Sequence, residues 1–204
     1  MTRFAYIFAI AVFIIPAPGP ARADIASIED ATAEKVMGNA DAPVTMIEYS
    51  SLSCPHCAAF HRDSLPKIKK TYIDTGKVKL IYRDFPFGGL AMAGAMVARC
   101  AGSKKYFGMI DILFRSQEDW TRGKNPLADI KRVARFGGMS ESDVEKCLAD
   151  EPLMQAIQKR QKEGETEYGV NSTPTFFING IEVKGALPFE EYKKVIDKAL
   201  KKLN

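Results

Sequence analysis

An α/β fold with a block of helices set into it follows from three features of this 204-residue chain. Two strand-like runs, Val44 to Tyr49 and Val78 to Phe85, flank a helical run. From Gly88 to Tyr168 no strand pattern occurs, only helical spacing. Strand signals return at Thr175 to Ile178 and Ile181 to Lys184, followed by a last amphipathic helix. The predicted order is therefore β-α-β, a helical block, then β-β-α, with no repeat and no low-complexity segment.

The first residues read as a targeting segment. Arg3 is positive, Phe4 to Ile15 is an apolar run, and Ala21-Arg22-Ala23 has the small-x-small form of a cleavage site. The run fits a signal-peptide core and is too short to span a bilayer as a helix. Residues 1–23 are expected to be a signal peptide cut after Ala23, with an uncleaved membrane anchor as the alternative. Export implies a disulfide-permissive compartment, the periplasm.

Asp24 to Asp41 is polar and shows no core pattern, so it reads as a lead-in. Val44 to Tyr49 is the first strand. A helix is expected from about Cys57 to Thr75, kinked at Pro66, because a proline that deep removes a backbone hydrogen bond. Gly76 ends it, and Val78 to Phe85 is rich in β-branched and aromatic residues. In the middle, Gly89 to Gly102 carries Ala and Met at helical spacing. Ser103 to Gln117 places Tyr106, Phe107, Ile110, Leu113 and Phe114 on one broad face. Asn125-Pro126 opens a helix that Gly137-Gly138 ends. Ser140-x-x-Asp143 has the form of a capping box, and a long polar helix covers about Pro152 to Tyr168. Asn179-Gly180 is a tight hairpin signal. Phe189 to Leu203 presents Tyr192, Val195, Ile196, Leu200 and Leu203 on one face.

Composition narrows the function classes. Hydrophobic residues make up 46% of the chain, enough for a packed core. The formal charge of +4 falls to about +2 without Arg3 and Arg22, and the lysines of the helical stretches (Lys67, Lys69 and Lys70; Lys193, Lys194, Lys198, Lys201 and Lys202) read as solvated faces. Nucleic acid is thus excluded as the expected partner.

The chemistry is carried by Cys54-Pro55-His56-Cys57. Two cysteines at this spacing can close a small disulfide ring. Placed between a strand and a helix, Cys54 meets unpaired backbone N–H groups and the positive end of the helix dipole, both of which favour the attacking thiolate. Cys54 is expected to attack and accept, Cys57 to close the ring from a more buried position, and His56 to offer charge or a hydrogen bond. Pro55 stiffens the loop. A structural disulfide and a zinc site are the bland readings, the latter hard to complete with only His56 and His61. His61 reads as a helix-surface residue, Trp120 as structural, and Met92, Met96, Met109, Met139 and Met154 as core.

Three ordered motifs resemble the DsbA-like branch of the thioredoxin superfamily: Ala42-Pro43-Val44-Thr45 with Ile47-Glu48-Tyr49 leading into Cys54-Pro55-His56-Cys57; Tyr82-Arg83-Asp84-Phe85-Pro86; and Val170-Asn171-Ser172-Thr173-Pro174-Thr175-Phe176. The resemblance implies a thioredoxin fold with an inserted helical domain, the core being 24–87 with 169–204 and the insertion 88–168. It implies a cis bond between Thr173 and Pro174 beside the redox pair, an acidic residue beneath it at Glu48 with a proton-relay role, and no cofactor. It further implies a monomer that oxidises unfolded exported proteins with free cysteines and is reoxidised by a quinone-linked membrane oxidase of the DsbB type. Two departures stand out. Thr173 replaces the valine of the best-known enteric members and is shared with isomerases. Cys100 and Cys147 form an extra pair, expected to be a structural disulfide because that pairing alone leaves the Cys54–Cys57 ring intact; a redox relay and two free core cysteines stay open. The competing functions are a disulfide isomerase or reductase and a non-catalytic peptide-binding chaperone or metal carrier. Isomerases usually carry a dimerisation domain ahead of the core, for which Asp24 to Asp41 is short.

Overall fold

A computed structural model describes residues 25–203, so the expected signal peptide lies outside the described residues. Five strands form one sheet: β1 (Lys35–Met37), β2 (Val44–Ser50), β3 (Val78–Asp84), β4 (Thr175–Ile178) and β5 (Ile181–Lys184), in the order β1-β3-β2-β4-β5. Only β2 and β3 are parallel, joined by the helical crossover between them; β1, β4 and β5 pair antiparallel. Helices α4 (Gly89–Cys100), α5 (Tyr106–Arg115), α6 (Gln117–Thr121), α7 (Pro126–Phe136), α8 (Glu141–Leu148) and α9 (Glu151–Tyr168) all fall between β3 and β4, and α10 (Phe189–Lys201) ends the fold. This is a thioredoxin fold with a helical insertion.

Strand period two decides what faces what. On β2, Val44 and Met46 enter a core with Leu80, Phe176 and Ile178 from the sheet and Phe60, Ile68, Tyr192 and Ile196 from the helices. Glu48 lies on the same face, two residues further along. The alternate residues Ile47 and Tyr49 face the other way and gather with Phe85, Val170 and Phe177. A third cluster fills the helical block and reaches Leu52, Cys57, Ala58 and Tyr82, so the insertion packs directly on the segment that carries the cysteines.

Three expectations need correction. The lead-in contains α1 (Ile28–Thr32), capped by Ser27, and the edge strand β1. Neither has a visible period, because five and three residues are too few to show one. The helix after the cysteines starts at Pro55 and is broken earlier than Pro66: α2 (Pro55–Asp63) ends at Ser64, and α3 (Leu65–Ile68) restarts with Pro66 in its first turn, where a missing N–H is tolerated, before a π-helical turn at Lys69–Ile73. The run expected from Ser103 to Gln117 begins only at Tyr106 and divides at Ser116 into α5 and α6. Elsewhere the local signals hold. Asn125 caps α7, Ser140 and Asp143 form both bonds of the capping box, and Asn179 and Gly180 both take positive φ at the β4–β5 hairpin.

Candidate active site

Cys54 is the N-cap of α2. Its backbone is extended and its side chain makes no cap bond, so the sulfur sits at the open N–H groups of the first turn. Pro55 occupies the first helical turn. Pro55 and His56 are exposed, Cys54 is half-buried, and Cys57 is 0% exposed. Both cysteines are free thiols. Gln117 at the start of α6 fixes the approach: its Nε2 donates to the carbonyls of Leu52 at 2.7 Å and Cys54 at 3.0 Å. Nothing in the sequence singled out Gln117, because its partners are backbone atoms brought near only by the insertion.

The two sulfurs are electrostatically unlike. Cys54 is lowered from 9.0 to about 5. The largest cause is the Cys57 thiol donating to it. Burial opposes this, and the Thr173 side chain and the backbone N–H groups of Cys57 and His56 add to it. His56 therefore acts on Cys54 through its backbone. Cys57 is pushed well up, first by burial and then by its donation to Cys54 and the Cys54 charge; the Ser50 hydroxyl and the Ser51 N–H pull the other way. One sulfur is thus built to carry charge and the other to hold a proton.

The β4 loop closes the site from the far side. The Thr173–Pro174 peptide is cis, and the Cys54 thiol donates to the Thr173 carbonyl at 3.4 Å. Beneath, Glu48 is 0% exposed and accepts from His61 Nε2 at 2.9 and 3.1 Å, one contact to each carboxyl oxygen. His61 is 9% exposed and stacks on Phe114 at 4.2 Å. The surface reading of His61 is therefore wrong. Cys57, His61, Ser64 and Ile68 follow one buried stripe, and that spacing was the signal available.

Cys100, the last residue of α4, is bonded to Cys147 of α8, with Cα atoms 6.1 Å apart. Both sulfurs lie in the core of the helical block. Met96, Met109, Met139 and Trp120 are buried there, and the Trp120 indole N–H donates to the Leu113 carbonyl at 2.8 Å. Among the described residues no cluster of three or more His, Cys, Asp or Glu is placed to hold a metal.

Comparison with known proteins follows the same lines. A family model described as thioredoxin matches residues 30–198. The crystal structure of Wolbachia pipientis alpha-DsbA1 superposes with a TM-score of 0.77 at 32% identity, covering 84% of this chain and 94% of that one. Oxidised BdbD from Bacillus subtilis gives a TM-score of 0.74 at 25% identity, covering 90% of this chain and 100% of that one. A Rickettsia bellii relative whose name contains "protein-disulfide oxidoreductase" is 28% identical over 82% of this chain, which spans only 64% of that relative's length. With a redox-type cysteine pair at a helix start, a buried carboxyl beneath it and these likenesses, the chain belongs to the thioredoxin family, in its DsbA-like group.

Proposed function

We propose that this chain is a thiol:disulfide oxidoreductase that donates the Cys54–Cys57 disulfide to exported proteins. The observation that carries the reading is the contrast between the sulfurs, a half-buried Cys54 lowered to about 5 beside a buried Cys57 pushed up. A substrate thiolate attacks Cys54 Sγ of the oxidised pair. The Cys54–substrate bond forms, the Cys54–Cys57 bond breaks, and Cys57 leaves with the electron pair and takes up a proton. A second substrate thiolate then attacks the substrate sulfur of the mixed disulfide and releases Cys54 as a thiolate. A low Cys54 value favours this last step, because a weakly basic thiolate leaves faster. It also stabilises the reduced protein, which is what makes a disulfide easy to give away. The value about 5 lies between thioredoxin at ~7 and DsbA itself at ~3.5, on the oxidising side of the first.

In this reading Thr173 and Pro174 face the incoming peptide. Glu48, through His61, handles the proton of the buried sulfur. Residues 24–87 with 169–204 act as the core and 88–168 as the insertion. Residues 1–23 direct export to the periplasm, and a DsbB-type membrane oxidase reoxidises the monomer. Oxidative refolding of a reduced, unfolded disulfide protein is the test: the oxidised chain should restore activity stoichiometrically and Cys54→Ser should not. Refolding no faster than in buffer would remove the oxidase reading, and insulin reduction without oxidation would favour the reductase.

A further inference from the structure

Away from the cysteines, α9 carries a stripe that begins apolar, with Leu153, Ala156 and Ile157, and ends charged, with Arg160 and Glu163. A helix face turned toward a core should not end this way. It borders a partly open cavity of about 260 Å³, lined elsewhere by Thr32 of α1, Asp84 of β3 and Arg99 of α4. None of these residues belongs to the redox site.

The charges on the wall are unequally used. Asp84 is spent: Arg99 Nε donates to it at 2.5 Å, and Arg99 Nη1 donates to the Ala31 carbonyl at 2.8 Å. Arg160 is only half used. Its Nη2 donates to the Thr32 carbonyl at 3.3 Å, whereas Nη1 is buried with no hydrogen-bond partner among the described residues. Lys159 also lines the cavity. With Asp84 and Arg99 offsetting each other, two cations face the single carboxyl of Glu163. A buried donor left unmade is costly, and a charged one more so.

We propose that this cavity binds a small organic oxyanion, a carboxylate or phosphate head held by Arg160 and Lys159 with a short apolar body against Leu153, Ala156 and Ile157. An oxyanion supplies the acceptor that Arg160 Nη1 lacks, and charge-assisted bonds of this type are among the stronger ones. The apolar wall selects an anion with some hydrocarbon over a bare halide. The volume limits it to a small molecule.

The test is thermal unfolding and calorimetric titration of the mature chain with inorganic phosphate, acetate and butyrate, against sodium chloride at matched ionic strength. Saturable stabilisation by phosphate or butyrate beyond chloride is expected, with butyrate above acetate. Arg160→Met should weaken it at least tenfold, and Arg160→Lys should restore part. Lys159→Met, at an exposed position where folding is not at risk, should weaken it severalfold. No saturable response beyond chloride, or the same response in Arg160→Met and Lys159→Met as in the parent, would overturn the proposal and leave the cavity to water.

Discussion

At the scale of the residue, the decisive fact is that neighbouring atoms, not the amino-acid types alone, separate Cys54 from Cys57. The sequence named both cysteines and the helix start, and those survive. It led to the expectation that His56 offers a hydrogen bond or a charge, and His56 does give a hydrogen bond through its backbone N–H; what it did not show is that the largest contribution comes from the Cys57 thiol. A depressed folded value has a defined consequence for the reduced protein. Its stabilisation is complete above the unfolded thiol value near 9, shrinks as pH falls, and is gone below about 5. Reduced protein should therefore lose stability relative to Cys54→Ser as pH drops from 8 to 5, read by denaturant melts at each pH. The Glu48–His61 pair makes a second prediction. Removing one member of a buried, hydrogen-bonded polar pair leaves the other unsatisfied, and such losses run to about 1–3 kcal/mol. His61→Ala should fall in that range by urea unfolding, and Glu48→Leu with His61→Leu should recover much of it. A loss under about 1 kcal/mol would mean that Glu48 finds water instead. His61 was placed on the helix surface from its helical register, yet that register, four residues after the buried Cys57, turns it inward.

At the scale of the element, the helical insertion is held to the sheet by contacts that no local pattern encodes. The buried Asp84–Arg99 pair ties the end of β3 to α4, and Gln117 ties α6 to the Cys54 loop. Capping and turn signals were legible because their partners lie within four residues. These ties were not, because their partners are 15 and 63 to 65 residues away. The same holds for β1, whose Lys35 is 2% exposed inside the fold, bonded to Asp30 and Ser103. Helix α9 comes up against Tyr49 of β2 at Gly164, where a Cβ would lie 2.7 Å from Tyr49 Cε1. Tyr49 is itself wedged among Phe85, Tyr168 and Phe177. Overpacking of this kind costs about 1–3 kcal/mol, against about 1 kcal/mol gained from helix propensity. Gly164→Ala should be net destabilising by thermal unfolding, and a rise in Tm would show that the ring yields. The Cys100–Cys147 bond joins α4 to α8 across 47 residues of chain, worth up to about 4 kcal/mol in the chain-entropy model. The Cys100→Ala, Cys147→Ala double variant should melt lower yet keep oxidase activity. A folded but inactive double variant would make this pair part of the redox path.

At the scale of the whole molecule, the order of elements from β2 onward was readable from periodicity and turn signals, apart from the breaks at Ser64 and Ser116, whereas α1 and β1 were not, and the three motifs assigned the order to a group. The arrangement then explains why motifs far apart in sequence act together. Strand β2 lies between β3 and β4, so Glu48, the Cys54 loop and the Thr173–Pro174 turn converge at one end of the sheet. What composition could not convey is how far this convergence biases the redox pair. The equilibrium of the Cys54–Cys57 pair with reduced and oxidised glutathione measures that bias. With Cys54 between the thioredoxin and DsbA values, its potential should fall between the two, at about −200 to −120 mV, well above thioredoxin at ~−270 mV. A potential at or below about −270 mV would contradict a disulfide donor.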